Sequence, residues 1–197
     1  SKGLNAMSQT FHQLFRKRLA RGKWREKDRP VLINNWEATY FDFDEEKLVN
    51  IAKKAFDVGI ELFVLDDGWF GERENDCAGL GDWHVNPKRL PRGIGSLSEK
   101  IRSFGMKFGL WFEPEMVNKD SELYRTHPNW IISTPNRKPN HGRNQYVLNF
   151  GLDEVVENIF DQMCKIIDES NLDYIKWDMN RPLTDVFDSH LSADQQG

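Results

Sequence analysis

The stretch from residue 172 to residue 181, Leu-Asp-Tyr-Ile-Lys-Trp-Asp-Met-Asn-Arg, decides the fold of this 197-residue chain. Residues 172–177 are mostly apolar, β-branched and aromatic, which predicts a short buried strand that ends at Asp178. Since alternate side chains of a strand share a face, Lys176 and Asp178 are expected to point the same way. A carboxylate in this position is costly unless it is used, and a nearby positive charge favours its ionised form. The pattern indicates a nucleophile or an electrostatic stabiliser, although the residues equally allow a carboxylate that caps the turn 179–182.

Three further apolar runs precede this strand and alternate with amphipathic helical patterns. The runs cover residues 31–33, 61–65 and 107–112. Three helices are predicted, with N-cap residues at Asp44, Ser96 and Asp153, because these residue types cap helix N-termini. Strands that are apolar throughout are typical of a parallel sheet covered by helices. The order therefore predicts an α/β fold, in which four parallel strands with intervening helices form the first half of a (β/α)8 TIM-type barrel.

Each predicted strand is followed directly by polar or aromatic residues. They are Asn34-Asn35-Trp36, Asp66-Asp67, Glu113 and Asp178. In a barrel, the C-terminal strand ends and the loops after them line the active site. A doubly wound sheet would place its ligand at the same end, but the sequence has no GxGxxG or Walker pattern to hold a nucleotide phosphate. A barrel with its site at these strand ends is the preferred interpretation.

Composition excludes several classes of function. The net charge is -4 and the isoelectric point is about 5.8, so no basic field predicts a nucleic-acid partner or an anionic membrane surface. No apolar run is long enough for a transmembrane helix. Cys77 and Cys164 have no metal-binding spacing, and two free thiols fit a reducing, cytoplasmic compartment.

Six short motifs occur in order along residues 4–188. They are NWEAT (35–39), LDDGWF (65–70), LGDW (80–83), WFEPEM (111–116), GRNQ (142–145) and KWDMNR (176–181). Together they resemble the α-galactosidases of glycoside hydrolase family 36, in clan D. Residues 3–21 also resemble the segment that leads into the catalytic domain of this family from a preceding β-sandwich. The resemblance thus implies a lead-in or linker at residues 1–29 and a partial barrel catalytic domain at residues 30–197.

The resemblance implies a retaining glycoside hydrolase that releases terminal α-linked galactose from melibiose, raffinose and related α-galactoside oligosaccharides. By matching position, Asp178 would be the nucleophile. The substrate-binding residues would be Asp66, Asp67, Trp111, Arg143, Lys176 and Asn180 around the galactose ring, with Trp36 near the aglycone side. The family needs no cofactor and no metal. Paired carboxylates, Lys and Arg suit the hydroxyls of a sugar, and a Trp ring suits its apolar face.

Without the resemblance, the same residues allow simpler interpretations. Asp66 and Asp67 could cap a turn or hold a divalent cation, since carboxylates suit Mg²⁺. Trp36 and Trp111 could be plain core residues, and Arg143 could be solvated.

A complete barrel has eight β/α units and about 250 residues, whereas four strands are predicted here. The acid/base aspartate of the family and its glycine-rich, cysteine-containing motif are expected beyond residue 197. The chain alone is therefore expected to be inactive, since a missing proton donor and half a pocket each cost orders of magnitude in rate. Two open sheet edges predict self-association. Two other functions stay open: a raffinose- or stachyose-forming galactosyltransferase, and a non-catalytic galactose-binding or folding module.

Overall fold

A computed structural model describes residues 3–184, 186–188 and 191–196. The chain divides into two compact units, Ser1–Val31 and Leu32–Gly197. In the first unit, helix α1 (Gly3–Leu14) continues as a π-helical segment, Phe15–Leu19, and a 3-10 turn follows at Gly22–Arg25. None of the residues in these three elements is buried. That the first 29 residues lead in from a preceding domain stays a prediction.

The second unit is built on a parallel sheet. The strands of this unit are β1 (Leu32–Asn34), β2 (Leu62–Leu65), β3 (Lys107–Phe112), β4 (Met116–Asn118), β5 (Gln145–Val147) and β6 (Tyr174–Trp177). Four of them form one sheet in the order β1-β2-β3-β6, and all neighbours in it are parallel. Strand β2 is buried along its whole length, as expected of a strand covered on both faces. The predicted α/β fold with four parallel strands is confirmed.

Helices alternate with these strands. They are α2 (Trp36–Thr39), α3 (Glu45–Asp57), α4 (Gly93–Arg102), α5 (Glu122–Thr126) and α6 (Asp153–Ser170), with a 3-10 turn at Pro128–Trp130. Asp44 caps α3 as predicted, since its carboxylate accepts the Lys47 backbone N–H at 2.8 Å. Within the described part of the chain, no helix is long and apolar enough to cross a membrane.

The predicted N-caps of the other two helices were wrong, by four residues for α4, whose N-cap is Arg92, and by one residue for α6. Helix α4 begins at Gly93 and not at Ser96, because its buried stripe already starts at Ile94. Helix α6 has Leu152 as its N-cap residue, which makes Asp153 the first helical residue. An acidic side chain is also favourable in the first turn of a helix, so Asp153 is typical of that position as well as of the N-cap.

A second, two-stranded sheet was not predicted. Strand β4 pairs antiparallel with β5, with Met116 opposite Val147 and Asn118 opposite Gln145. It begins four residues after β3 ends, so it extends the polypeptide beyond the C-terminal end of the main sheet. The small sheet thereby brings the loop before β5 to the end of the main sheet at which Asp178 lies.

The long segment between β2 and α4 is ordered and largely apolar. Trp69, Phe70 and Trp83 are buried in it. The Phe70 ring stacks on Trp111 of β3 with centroids 5.9 Å apart, and the Trp69 indole N–H donates to the Trp111 carbonyl at 2.9 Å. This aromatic layer fixes the segment against β3, and with it the residues that follow β2.

Candidate active site

Three of the predicted site residues lie at one level of the sheet. Strands β3 and β6 are in register at Trp111 and Lys176. Strands β2 and β3 are in register at Leu65 and Leu110, so Asp66, the next residue, lies at the level of Trp111. Residues aligned across a parallel sheet share a face, which lets the side chains of Asp66 and Lys176 meet across β3.

Asp66 is held by side chains from both sides of it in the sheet, from β1 and, across β3, from β6. Its Oδ2 accepts Lys176 Nζ at 2.8 Å and also accepts the side-chain amide of Asn34 at the end of β1. Its backbone N–H donates to Asn35 Oδ1 at 2.8 Å. The carboxylate is nearly buried, whereas the lysine is partly exposed. The solvent-facing part of this ion pair is therefore the ammonium group of Lys176, which the buried Asp66 holds in a fixed orientation.

Asp178 is the first residue after β6 and accepts three hydrogen bonds. Its Oδ2 accepts Trp111 Nε1 at 2.9 Å and Asn180 Nδ2 at 2.7 Å, and its Oδ1 accepts the Met179 backbone N–H at 3.0 Å. Burial works against ionisation, but these hydrogen bonds and the charge of Lys176 outweigh it, so the pKa of Asp178 lies below its ordinary value. The half-buried carboxylate is a stable anion.

The sequence predicted that the lysine two residues earlier would hold Asp178 ionised, and the structure places that lysine differently. Lys176 forms its ion pair with Asp66, and its charge acts on Asp178 only as the last of several contributions. The side-chain hydrogen bonds come from Trp111 and Asn180, to which the resemblance assigns contacts with the sugar. Whether either also contacts a sugar stays a prediction. The Trp111 indole is 2% exposed, and its ring is stacked against Phe70.

Asp67 faces a different partner from Asp66. Both of its carboxylate oxygens accept from Arg73, through Nε and Nη2, each at 2.8 Å. Burial raises the pKa of the Asp67 carboxyl, and the guanidinium acts in the opposite direction. Arg73 Nη1 continues to Asn118 Oδ1 at 2.9 Å. In this structure both oxygens of Asp67 are occupied by the protein, so direct contact with galactose stays a prediction.

Arg143 lies at the tip of a tight hairpin. Gly142 and Gln145 exchange backbone hydrogen bonds of 3.2 and 2.9 Å, and Arg143 and Asn144 both have positive φ, which is the type I′ turn. The Asn144 carbonyl accepts Asn118 Nδ2 at 2.7 Å. The hairpin is thus anchored to the same asparagine that binds Arg73, and Arg143 itself is exposed.

Trp36 lies at the start of α2, directly after β1. Its ring packs edge-on against Tyr40 and Phe41, with centroids 5.2 and 5.1 Å away, and it is half-buried. Its backbone N–H donates to Asn34 Oδ1 at 2.8 Å. Because the side-chain amide of Asn34 also donates to Asp66, Asn34 links Trp36 to Asp66.

Four residues that hold this arrangement together were not predicted to be site residues. They are Arg73, Glu113, Asn118 and Arg181, each less than a tenth exposed. Arg181 Nη1 donates to the carbonyls of Gln145 at 2.8 Å and Asn140 at 3.1 Å, which fixes the segment after β6 to the Arg143 hairpin. A signal was available for Glu113 and Arg181, which lie inside the motifs at 111–116 and 176–181, and for Asn118, which follows the first of these motifs. Among the described residues, no group of three or more His, Cys, Asp or Glu side chains could hold a metal ion.

Comparison with known proteins identifies the family. The melibiase family model matches residues 1–197. The chain is 56% identical over 196 residues to α-galactosidase Mel36A of Lactobacillus acidophilus, covering 100% of this chain and 27% of that protein. It superposes on the crystal structure of the family 36 α-galactosidase AgaA of Geobacillus stearothermophilus with a TM-score of 0.93 and 53% identity, covering 98% of this chain and 27% of that one.

Variants of AgaA have been crystallised in complex with raffinose and with stachyose. The chain spans about a quarter of the length of these relatives. The predicted resemblance and the predicted half of a TIM-type barrel are confirmed. The chain belongs to the melibiase family, the α-galactosidases of glycoside hydrolase family 36.

Proposed function

We propose that residues 30–197 supply the half of a catalytic barrel that carries the nucleophile of a retaining α-galactosidase, and that this nucleophile is Asp178. The observation that carries the proposal is the state of that carboxylate. It lies at the C-terminal end of a parallel strand, is partly open to solvent and is kept ionised by three hydrogen bonds. A retaining glycosidase needs such an anion to attack the anomeric carbon.

The groups around Asp178 suit a galactose ring. The ammonium of Lys176 is fixed by Asp66 and remains partly exposed, so it is available to a sugar hydroxyl. Asn180 is oriented by its hydrogen bond to Asp178. Arg143 extends from a hairpin that Arg181 ties to the segment after Asp178. We assign these three side chains to substrate binding, with Trp36 and its aromatic ring on the side of the leaving group.

The second carboxyl group of the retaining mechanism is not available from the acids near Asp178. Asp66 and Asp67 are occupied by Lys176 and Arg73. Glu113 is 1% exposed and accepts hydrogen bonds from the protein, so it cannot reach a leaving group. We therefore propose that the proton donor lies outside residues 1–197, and that the chain alone does not turn over α-galactosides. A cytoplasmic location is proposed with it, since both cysteines, Cys77 and Cys164, are free.

The proposal is tested in the full-length protein encoded by the gene. Asp178→Ala should lower kcat on an aryl α-galactoside by about 10⁴-fold or more, as loss of a nucleophile does in other hydrolases. Asp161→Ala is the matched control, because Asp161 is an exposed acid on α6 and lies outside the site. Proton NMR of the first product should show α-galactose, the retained anomer.

Several outcomes would count against the proposal. Initial formation of β-galactose would exclude a retaining mechanism, and an active Asp178→Ala variant would exclude this nucleophile. Turnover by the purified 197-residue chain would show that the proton donor lies within it. With raffinose as substrate, transfer of galactose to a second sugar in preference to water would identify a galactosyltransferase.

A further inference from the structure

We propose that Glu113 is a positioning residue for the reaction: it fixes Asn180, and through Asn180 it fixes the carboxylate of Asp178. The inference rests on the proposed function, because it concerns the same nucleophile. No sequence motif suggested this role, since Glu113 reads as one of two acids beside Pro114 at the end of β3.

The contacts form a continuous path. Glu113 Oε1 accepts the backbone N–H of Asn180 at 2.6 Å. The side-chain amide of the same residue donates to Asp178 Oδ2 at 2.7 Å. Glu113 thus holds the main chain of the residue whose side chain holds the nucleophile. Trp111, which lies on β3 two residues before Glu113, donates to the same oxygen of Asp178.

The position of Glu113 is costly, which argues that it has a use. The side chain is 1% exposed, and a carboxylate out of water is unfavourable unless hydrogen bonds compensate. Burial and the charge of Asp178 both raise the pKa of the Glu113 carboxyl, while the hydrogen bonds from Asn180 lower it.

The second oxygen of Glu113 reaches the small sheet. Oε2 accepts Gln145 Nε2 at 3.2 Å. Gln145 Oε1 is buried and has no hydrogen-bond partner among the described residues. A glutamine in place of Glu113 could accept from Asn180 with its oxygen and donate with its amide to that unpaired oxygen, once the Gln145 amide turns over. Glu113→Gln is therefore a conservative variant that preserves both contacts.

The test uses the full-length protein and compares Glu113→Leu with Glu113→Gln. Glu113→Leu removes both acceptors, and we expect kcat on an aryl α-galactoside to fall by about 10²-fold, the cost of a small displacement of a reacting group. We expect Glu113→Gln to stay within about fivefold of the wild type, because it keeps the acceptor for Asn180. Glu115→Leu is the matched control, because Glu115 follows the same strand end and is partly exposed.

Hydrogen exchange supplies a readout that does not depend on activity. The Asn180 amide should be protected in the wild type, in Glu113→Gln and in Glu115→Leu, and should lose protection in Glu113→Leu. If the wild type fails to hydrolyse α-galactosides, the proposed function fails, while the exchange data still decide whether Glu113 holds Asn180.

Three results would overturn the inference. An unprotected Asn180 amide in the wild type would do so without any variant, even if Glu113→Leu failed to fold. A Glu113→Leu protein that loses protection at Asn180 but keeps its kcat would show a structural contact with no role in the reaction. A Glu113→Gln protein as slow as Glu113→Leu would show that holding Asn180 is not what the reaction needs.

Discussion

Replacing Arg73 with methionine should destabilise the second unit far more than loss of an ordinary surface ion pair. Arg73 binds both oxygens of Asp67 at 2.8 Å, and the two side chains are only 2% and 9% exposed. Without the guanidinium, the Asp67 carboxylate would be buried and uncompensated, and it would have to take up a proton or draw in water. Removing one partner of a buried ion pair costs about 3–5 kcal/mol. For a domain of this size, that corresponds to a fall in Tm of about 6–20 °C.

Arg125→Met is the matched control. Arg125 also bridges two acids, Asp120 and Glu122, but its side chain is 54% exposed. Solvent screens such pairs, so we expect a cost of about 0–1 kcal/mol. Thermal unfolding can be followed by tryptophan fluorescence, because Trp69, Trp83 and Trp111 are buried in the folded chain.

A double variant separates the ion pair from packing. Asp67→Leu together with Arg73→Met removes both charges, and apolar replacement of a buried pair is often neutral or stabilising. We therefore expect the double variant to recover most of the lost Tm. An Arg73→Met protein that melts with the wild type and the Arg125→Met control would refute the reasoning. A double variant no more stable than Arg73→Met would show that the loss is one of packing.

Three further predictions concern the site and the sheet edges. Trp111→Phe removes a donor that lowers the pKa of Asp178, so the acid limb of kcat/KM should move to higher pH in the full-length protein; an unmoved limb in a pH-rate profile would contradict this. The sign follows because activity needs the ionised carboxylate, which is lost as pH falls through its pKa. Lys176→Met leaves the Asp66 carboxylate without its cation, and the affinity for galactose measured by titration should fall by at least about tenfold. Unchanged affinity would argue against sugar binding by Lys176 and Asp66. The 197-residue chain should sediment as a dimer or larger species, because β1 and β6 are the two edges of the described sheet and each has only one neighbouring strand. Leu32 of β1 and Trp177 of β6 are 43% and 53% exposed. A monodisperse monomer would count against this prediction.

The sequence predicted the main sheet well because its signals are local. Each of the four parallel strands is a short apolar run followed by a polar residue, and that pattern needs no knowledge of distant residues. The same holds for the cap at Asp44, whose partner Lys47 is three residues away. The placing of Asp66 and Asp178 at one end of the sheet follows from parallel strand order alone.

The features that were missed depend on partners distant in sequence. Strands β4 and β5 have three residues each and lie 26 residues apart, so neither forms a recognisable pattern by itself. Arg73 lies in a polar run that does not reveal its partners, and only the fold brings Asn118 to it from 45 residues away. Glu113 likewise meets Asn180 across 67 residues.

The misassigned partner of Lys176 has the same cause. The sequence shows Asp178 two residues away on the same strand, which suggests a direct pair. The structure offers Asp66 on the far side of β3, at the level of the lysine, and this buried acid takes the ammonium. Trp111 donates a hydrogen bond to Asp178, on the side chain that the lysine alone was expected to stabilise.

The most direct test of the account is to label the full-length enzyme with a fluorinated galactosyl reagent that traps the glycosyl-enzyme, and to locate the adduct by mass spectrometry of its peptides. Asp178 is the half-buried anion at the end of β6, and we predict that the sugar is attached there and that Asp178→Ala takes up no label. A covalent adduct on any other residue, or undiminished labelling of Asp178→Ala, would contradict the central claim.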